Sequence, residues 1–202
     1  MRAGGTLASV FVAFPVEAGD WLERLPAAPD AIRLVHRADL HVTVAFLGRV
    51  EPTQADAAWA TLQGGLPAPC AGRLGRVEAM GPARTASALA ARVLARDEAG
   101  ETLATVLGWL RDRALAAADR PADSRPPHPH LTLARIARRA DRTARREALA
   151  WAASIDVSTV HVRLDRLALY ASRAPAQRSA RPAAAADREP AYEMLRVVPL
   201  AS

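Results

Sequence analysis

His41-Val42-Thr43-Val44-Ala45-Phe46-Leu47-Gly48 is echoed, nearly half the chain later, by His130-Leu131-Thr132-Leu133-Ala134-Arg135. Both segments have the β-branched and aliphatic content of strands. Residues two apart on a strand share a face, so each His and the Thr after it stand side by side while the intervening Val or Leu enters the core. The recurrence reads as an internal pseudo-repeat. If the two strands face one another, two imidazoles and two hydroxyls meet in one cleft.

Working outward, Ser9 to Phe14 reads as an interior strand and Glu17 to Leu25 as a short helix ended before Pro26. After Gly48, Thr53 can cap a helix through Trp59 and Leu62 to Gly64. Gly72 to Ala79 and Ala86 to Leu94 read as strands around a Gly81-Pro82 turn, helix being the competing reading for these Ala-rich stretches. Leu103, Val106, Leu107, Leu110 and Leu115 recur at helical spacing between Glu101 and Ala118. Asp119 to Pro129 reads as a loop. Arg142 to Ala153 follows as a helix, Val160 to Tyr170 as an alternating strand and Tyr192 to Val198 as a last strand. Residues 173–190, rich in Ala, Arg and Pro without apolar period, are expected to form a flexible loop. Several strands follow one another directly, which predicts an α+β fold with antiparallel or mixed sheets rather than a doubly wound parallel one.

Half of the 202 residues are apolar and 24% are charged, the balance of a globular chain. The formal charge is +6, all of it from Arg, since Lys is absent. This suits an anionic partner, although the Ala- and Arg-rich composition also carries the mark of GC-rich coding. Cys70 is the only cysteine, which excludes an internal disulfide and a Cys-based zinc cluster, and fits a reducing cytoplasm. Leu7 to Phe14 is too short for a signal peptide and is followed by Pro15 and Glu17, so it reads as a buried strand. No apolar stretch approaches the roughly 20 residues of a membrane span.

The chemistry that uses two imidazoles and two hydroxyls is displacement at phosphorus. One imidazole takes a proton from the nucleophile and the other gives one to the leaving oxygen. Histidine's ordinary pKa of about 6.5 suits both tasks. Thr hydroxyls can donate to non-bridging phosphate oxygens and stabilise charge that develops there.

The pair of motifs resembles the two-histidine phosphoesterase superfamily, most closely its bacterial RNA 2',3'-cyclic phosphodiesterases, also called 2'-5' RNA ligases. Phe46-Leu47-Gly48 is similar to the tail of the family's first motif. Pro129 before His130 and Arg135 after Ala134 are similar to the surroundings of the second. Phe11 to Pro15, Leu169-Tyr170-Ala171-Ser172 and Tyr192 to Leu195 resemble further family segments. Pro82-Ala83-Arg84 matches a family Pro-x-Arg, but the Thr85-Ala86-Ser87-Ala88 after it departs from the bulky strand expected there. The resemblance implies one domain over residues 1–202, built from two pseudo-symmetric lobes that flank a V-shaped cleft. It also implies opening of a terminal 2',3'-cyclic phosphate to a 2'-phosphomonoester, with joining of RNA ends as the reverse reaction.

On this reading His41 and His130 are catalytic, His130 as base and His41 as acid, although exchanged roles fit the sequence nearly as well. Thr43, Thr132 and Arg135 are expected to hold the phosphate. Phe46 reads first as a core residue and otherwise as an aromatic that stacks a base. Arg84 reads equally as a substrate contact and as a surface arginine. His128-Pro129-His130, even with His36 and His161, matches no common zinc spacing, so no metal is expected. There is no P-loop and no G-x-G-x-x-G after a strand, so no nucleotide cofactor is expected. The expected partner is RNA or an oligonucleotide with a cyclic phosphate end, met by a cytoplasmic monomer. A small cyclic nucleotide is the rival substrate, and a non-catalytic RNA-end binder the rival from another class.

Overall fold

The computed structural model describes residues 8–95, 102–173 and 189–200. Their strands are β1 (Ser9–Pro15), β2 (Ile32–Leu34), β3 (His41–Arg49), β4 (Cys70–Ala79), β5 (Ala88–Ala95), β6 (His130–Ile136), β7 (His161–Leu164), β8 (Arg166–Ser172) and β9 (Tyr192–Pro199). The helices are α1 (Pro52–Gln63), α2 (Leu103–Ala117) and α3 (Arg142–Ser154). All strand pairs are antiparallel, in the order β7-β4-β5-β6-β3-β1-β8-β9, with β2 beside β6. This is an α+β fold with two similar four-strand halves, one led by β3 and the other by β6.

The halves meet at a single pair, Val42 opposite Leu131. Elsewhere β3 pairs with β1 and β6 with β5, so the sheet opens on either side of that point. Connectivity then fixes the overall curvature. Only Asp165 separates β7, at one end of the sheet, from β8, next to last at the other. Residues with a single one between them lie at most about 7.6 Å apart. A flat sheet of this order cannot satisfy that link, so the sheet curls into a half-barrel. The Leu200 N–H donates to the Asp165 carbonyl at 2.8 Å and ties the end of β9 to the same corner.

The main core lies on one face of the sheet. Val42, Val44, Leu131 and Leu133 from the two motif strands pack there with Leu74, Leu89, Leu107, Leu110 and Leu164. Helix α2 packs on α1 and β3, and α3 on β4. Thr102 and Asp141 cap α2 and α3, accepting from Thr105 N–H and Ala144 N–H. A smaller cluster of Phe11, Ala13, Ala168 and Tyr170, with Tyr192 against it, lies on the other face of β1 and β8.

Three local expectations change. Glu17 to Leu25 forms only a 3-10 turn at Asp20–Leu22. Gly19 weakens a helix there, and Pro26 disfavours helical backbone at Leu25. Helix α1 starts at Pro52 with Glu51 as N-cap rather than at Thr53, because proline's fixed φ suits the first helical position. Val160 to Tyr170 is two strands broken at Asp165, whose carboxylate accepts from Arg163 and Arg166. The sequence reading assigns no element to the stretch that forms the short β2. The expected flexible loop 173–190 falls mostly outside the described residues.

Leu131 is completely buried at the junction of the halves. Leu131→Ala should destabilise the protein by about 2–5 kcal/mol, the usual range for such truncations. Leu195→Ala, on exposed surface, should cost no more than about 0.5 kcal/mol. Equilibrium urea unfolding of both variants checks the contrast.

Candidate active site

The pair Val42–Leu131 determines what its neighbours do. In an antiparallel register one step to either side sets His41 against Thr132 and Thr43 against His130. Each imidazole thus faces the hydroxyl of the other motif, on the face opposite the core. The burial sequence is the same along both strands: half-buried His, buried aliphatic, half-buried Thr, two buried residues, then an exposed Phe46 or Arg135.

Strict alternation would send Phe46 and Arg135 inward. The register against β1 passes from Ala45 to Thr43 and skips Val44, and the register of β6 against β5 passes from Ala134 to Thr132 and skips Leu133. These are β-bulges at equivalent positions. A bulge adds a residue without a partner and shifts the alternation. Phe46 therefore leaves the core and is 63% exposed, against the first reading of its sequence. His41, Thr43, Phe46, His130, Thr132 and Arg135 line one cleft, with Phe11, Met80, Ser87 and Tyr192 among their neighbours. A continuation of the cleft past His41, Thr132 and Arg135 is lined by Arg33, His36, Asp39 and Tyr192. Arg33 stands directly across from Arg135 in the β2–β6 register.

Arg84 does not join them. It is exposed on the turn between β4 and β5, which closes on itself through Thr85 and Ala86 N–H groups donating to the Pro82 carbonyl. The departure of this stretch from the family pattern falls at that turn.

Both catalytic candidates are held in the same way. His41 Nδ1 lies 2.6 Å from the Asp39 carbonyl oxygen, and His130 Nδ1 lies 2.7 Å from that of His128. A carbonyl only accepts, so each Nδ1 carries the proton and each Nε2 is left with a lone pair for the cleft. His36 has the opposite arrangement, since its Nδ1 accepts from Ala38 N–H.

Their surroundings differ. The His41 ring sits among Phe11, Tyr170 and Tyr192, at centroid distances of 4.9, 5.7 and 5.4 Å. Burial there pushes its pKa down to about 4, and the Asp39 hydrogen bond only partly opposes this. His130 is also lowered by burial, opposed by its bond to His128. It lies beside the His128 ring, whose Nε2 is 3.3 Å from Glu78. Both imidazoles are therefore neutral at pH 7 in the free protein. Burial also raises the Tyr170 phenol to about 12. Arg135, exposed, makes no ion pair with another described residue.

Asp39 is the residue that sequence reasoning missed. It is only 4% exposed, and its carboxylate accepts from the N–H groups of Ala191 and Tyr192, at 2.7 and 3.2 Å. Its carbonyl orients His41 while its side chain anchors the start of β9, which brings Tyr192 against the imidazole. An Asp two residues before a motif His was the available signal. Among the described residues no group of three or more His, Cys, Asp and Glu side chains is placed to hold a metal, and no helix is long and apolar enough to cross a membrane.

A two-lobed cleft that presents a pair of H-x-T strands defines a phosphoesterase-type architecture. The family model of the 2'-5' RNA ligase superfamily matches residues 14–175, and the chain belongs to that superfamily, which is the two-histidine phosphoesterase class. Among solved structures it is similar to E. coli LigT complexed with 3'-AMP, with 21% identity, 96% of this chain and 99% of that one covered, and a TM-score of 0.66. It is also similar to TT0787 of Thermus thermophilus, with 20% identity, 95% and 97% covered, and a TM-score of 0.65. The sequence matches no curated protein.

Titration by proton–nitrogen NMR should find His41 neutral down to about pH 5 in the free protein, with the proton on Nδ1. A midpoint above 6 for His41 would contradict the burial of its ring.

Proposed function

We propose that the protein is an RNA 2',3'-cyclic phosphodiesterase that opens a terminal cyclic phosphate to a 2'-phosphomonoester without a metal. The observation that carries this is the opposed pair of imidazoles, each fixed through Nδ1 to a backbone carbonyl and each set against the other motif's threonine. Such a pair supplies both proton transfers that a displacement at phosphorus requires.

The cyclic phosphate occupies the cleft with its non-bridging oxygens towards Thr43, Thr132 and the guanidinium of Arg135. Hydroxyl and guanidinium donors fixed in place stabilise the added negative charge of the transition state. His130 Nε2 takes a proton from water as the water oxygen bonds to phosphorus. The bond from phosphorus to O3' breaks, and His41 Nε2 delivers a proton to that oxygen. Products are the 2'-phosphomonoester and a free 3'-hydroxyl, and proton exchange with solvent resets the pair. Phe46, exposed on the same face, stacks the terminal base. If a 5'-hydroxyl of another RNA replaces water, the same steps make a 2'-5' linkage.

The allocation of roles follows the two environments. His41, desolvated by its aromatic neighbours, is the stronger acid once protonated, and the anionic phosphodiester is what restores its proton. His130 keeps the more open setting and serves as the base. The protein works as a cytoplasmic monomer on this reading.

His41→Ala and His130→Ala should each lower turnover of a cyclic-phosphate RNA by about 10²–10⁴-fold. The assay is run in EDTA, with unchanged circular dichroism and product regiochemistry read by phosphorus NMR. Full activity in either variant, or a 3'-phosphate product, would contradict the assignment.

The pH dependence has a definite sign. Both free-protein pKa values lie below 6.5, and the reactive form needs one proton on the pair. Raising the pH removes that proton, so kcat/KM should fall about tenfold per unit between pH 7 and 9. A flat profile across this range would be inconsistent with the mechanism.

A further inference from the structure

The cleft continues, on the His130 side, into a row of cations that the proposed chemistry does not use. In the β5–β6 register Arg92 stands directly across from His130. Between the pairs Leu74–Val93 and Val77–Ala91, β4 has one residue more than β5, so Gly75 and Arg76 together oppose Arg92. Leu74 and Val77 point into the core, which leaves Arg76 on the outer face. Two residues further along, Arg73 is paired with Leu94. Arg73, Arg76 and Arg92 are all exposed, as is the apolar side chain of Leu94 among them.

None of these three arginines forms an ion pair with another described residue. Glu78, the acidic residue of this face of β4, lies 3.3 Å from His128 Nε2 and pairs with none of these arginines, and Asp165 beside β7 is taken by Arg163 and Arg166. Neighbouring strands lie about 4.8 Å apart and same-face residues on a strand about 7 Å apart. The cations thus step across the strands from His130 to Arg92 and Arg76 and then along β4 to Arg73, which has the apolar Leu94 beside it. A polymer with one negative charge per unit and a flat apolar group between charges fits that surface.

We propose that the outer face of β5 and β4 is a track for the body of a single-stranded RNA, with Arg92, Arg76 and Arg73 on successive phosphates and Leu94 against a base. The inference rests on the cyclic phosphodiesterase reading and specifies its substrate class as an oligonucleotide, not a mononucleotide. The track supplies affinity independent of sequence, and it aims the 3' end at the cleft.

The test uses the full chain and the double variant Arg73→Ala/Arg76→Ala. Arg138→Ala/Arg139→Ala serves as a control of equal charge change, since these exposed residues follow the far end of β6 from His130. Binding of a fluorescently labelled eight-nucleotide RNA is measured by anisotropy across a salt series. Hydrolysis of that RNA with a cyclic phosphate end is compared with hydrolysis of a cyclic mononucleotide.

The double variant should weaken octamer binding about tenfold and flatten the slope of log Kd against log salt by about 1.4, near 0.7 for each phosphate no longer neutralised. Mononucleotide turnover should stay at the wild-type level, and the control should bind like wild type. Equal loss in the control and the double variant would overturn the track, as would unchanged octamer binding in the double variant. Wild type that hydrolyses the mononucleotide without preferring the octamer also overturns it, while leaving the hydrolase reading in place. Salt-sensitive octamer binding that depends on Arg73 and Arg76, without hydrolysis of either substrate, upholds the track and overturns the hydrolase.

Discussion

The pairing of Val42 with Leu131 is the constraint on which the site depends. It is the one backbone register shared by the two halves, and it sets which side chains oppose which. A slip of one residue would turn every side chain of one strand to the other face, burying His130 and Thr132 and exposing Leu131 and Leu133. The aliphatic residues of both strands oppose such a slip, since all four are buried in one core. The site's geometry is therefore enforced from below, by packing on the face that takes no part in the chemistry.

The fold repeats, yet the two halves line the cleft with different residues. Equivalent bulges at Val44 and Leu133 bring the sixth residue of each motif into the cleft, and there the chain places Phe46 on one side and Arg135 on the other. The His41 side is aromatic, with Phe11, Tyr170 and Tyr192 around the ring. The His130 side is cationic and open, with Arg92 as its cross-strand neighbour. Similar strands thus give the cleft one aromatic wall and one cationic wall. This asymmetry separates the two imidazoles electrostatically although their hydrogen bonds are alike.

The motif strands, their shared face and the α+β class were legible in sequence because alternation and strand propensity act locally. The same holds for α2, whose apolar residues recur at helical spacing. The bulges were not legible. Alternation gives no sign of a skipped residue until the partner strand is known, so Phe46 read as core. Asp39 escaped for a related reason, because its two partners lie about 150 positions away on β9 and no local pattern joins them. The break at Asp165 was hidden inside a continuous alternating stretch, and only the strand order shows that the chain leaves one end of the sheet for the other.

Burying His41 among aromatic rings has a cost that the chain limits by controlling one proton. A neutral imidazole has one donor and one acceptor, and the Asp39 carbonyl satisfies the donor, so only Nε2 is left open, towards the cleft. The charged form keeps that bond but carries a second N–H, at Nε2, in a desolvated setting. Folding therefore lowers the His41 pKa to about 4, and between that value and the ordinary 6.5 the native state binds fewer protons than the unfolded chain. The corresponding stability is complete above the unfolded value and is lost as the pH falls through the folded one. The ring contacts that disfavour the imidazolium outweigh the Asp39 carbonyl that favours it, and so the proton at Nε2 depends on what else lies in the cleft.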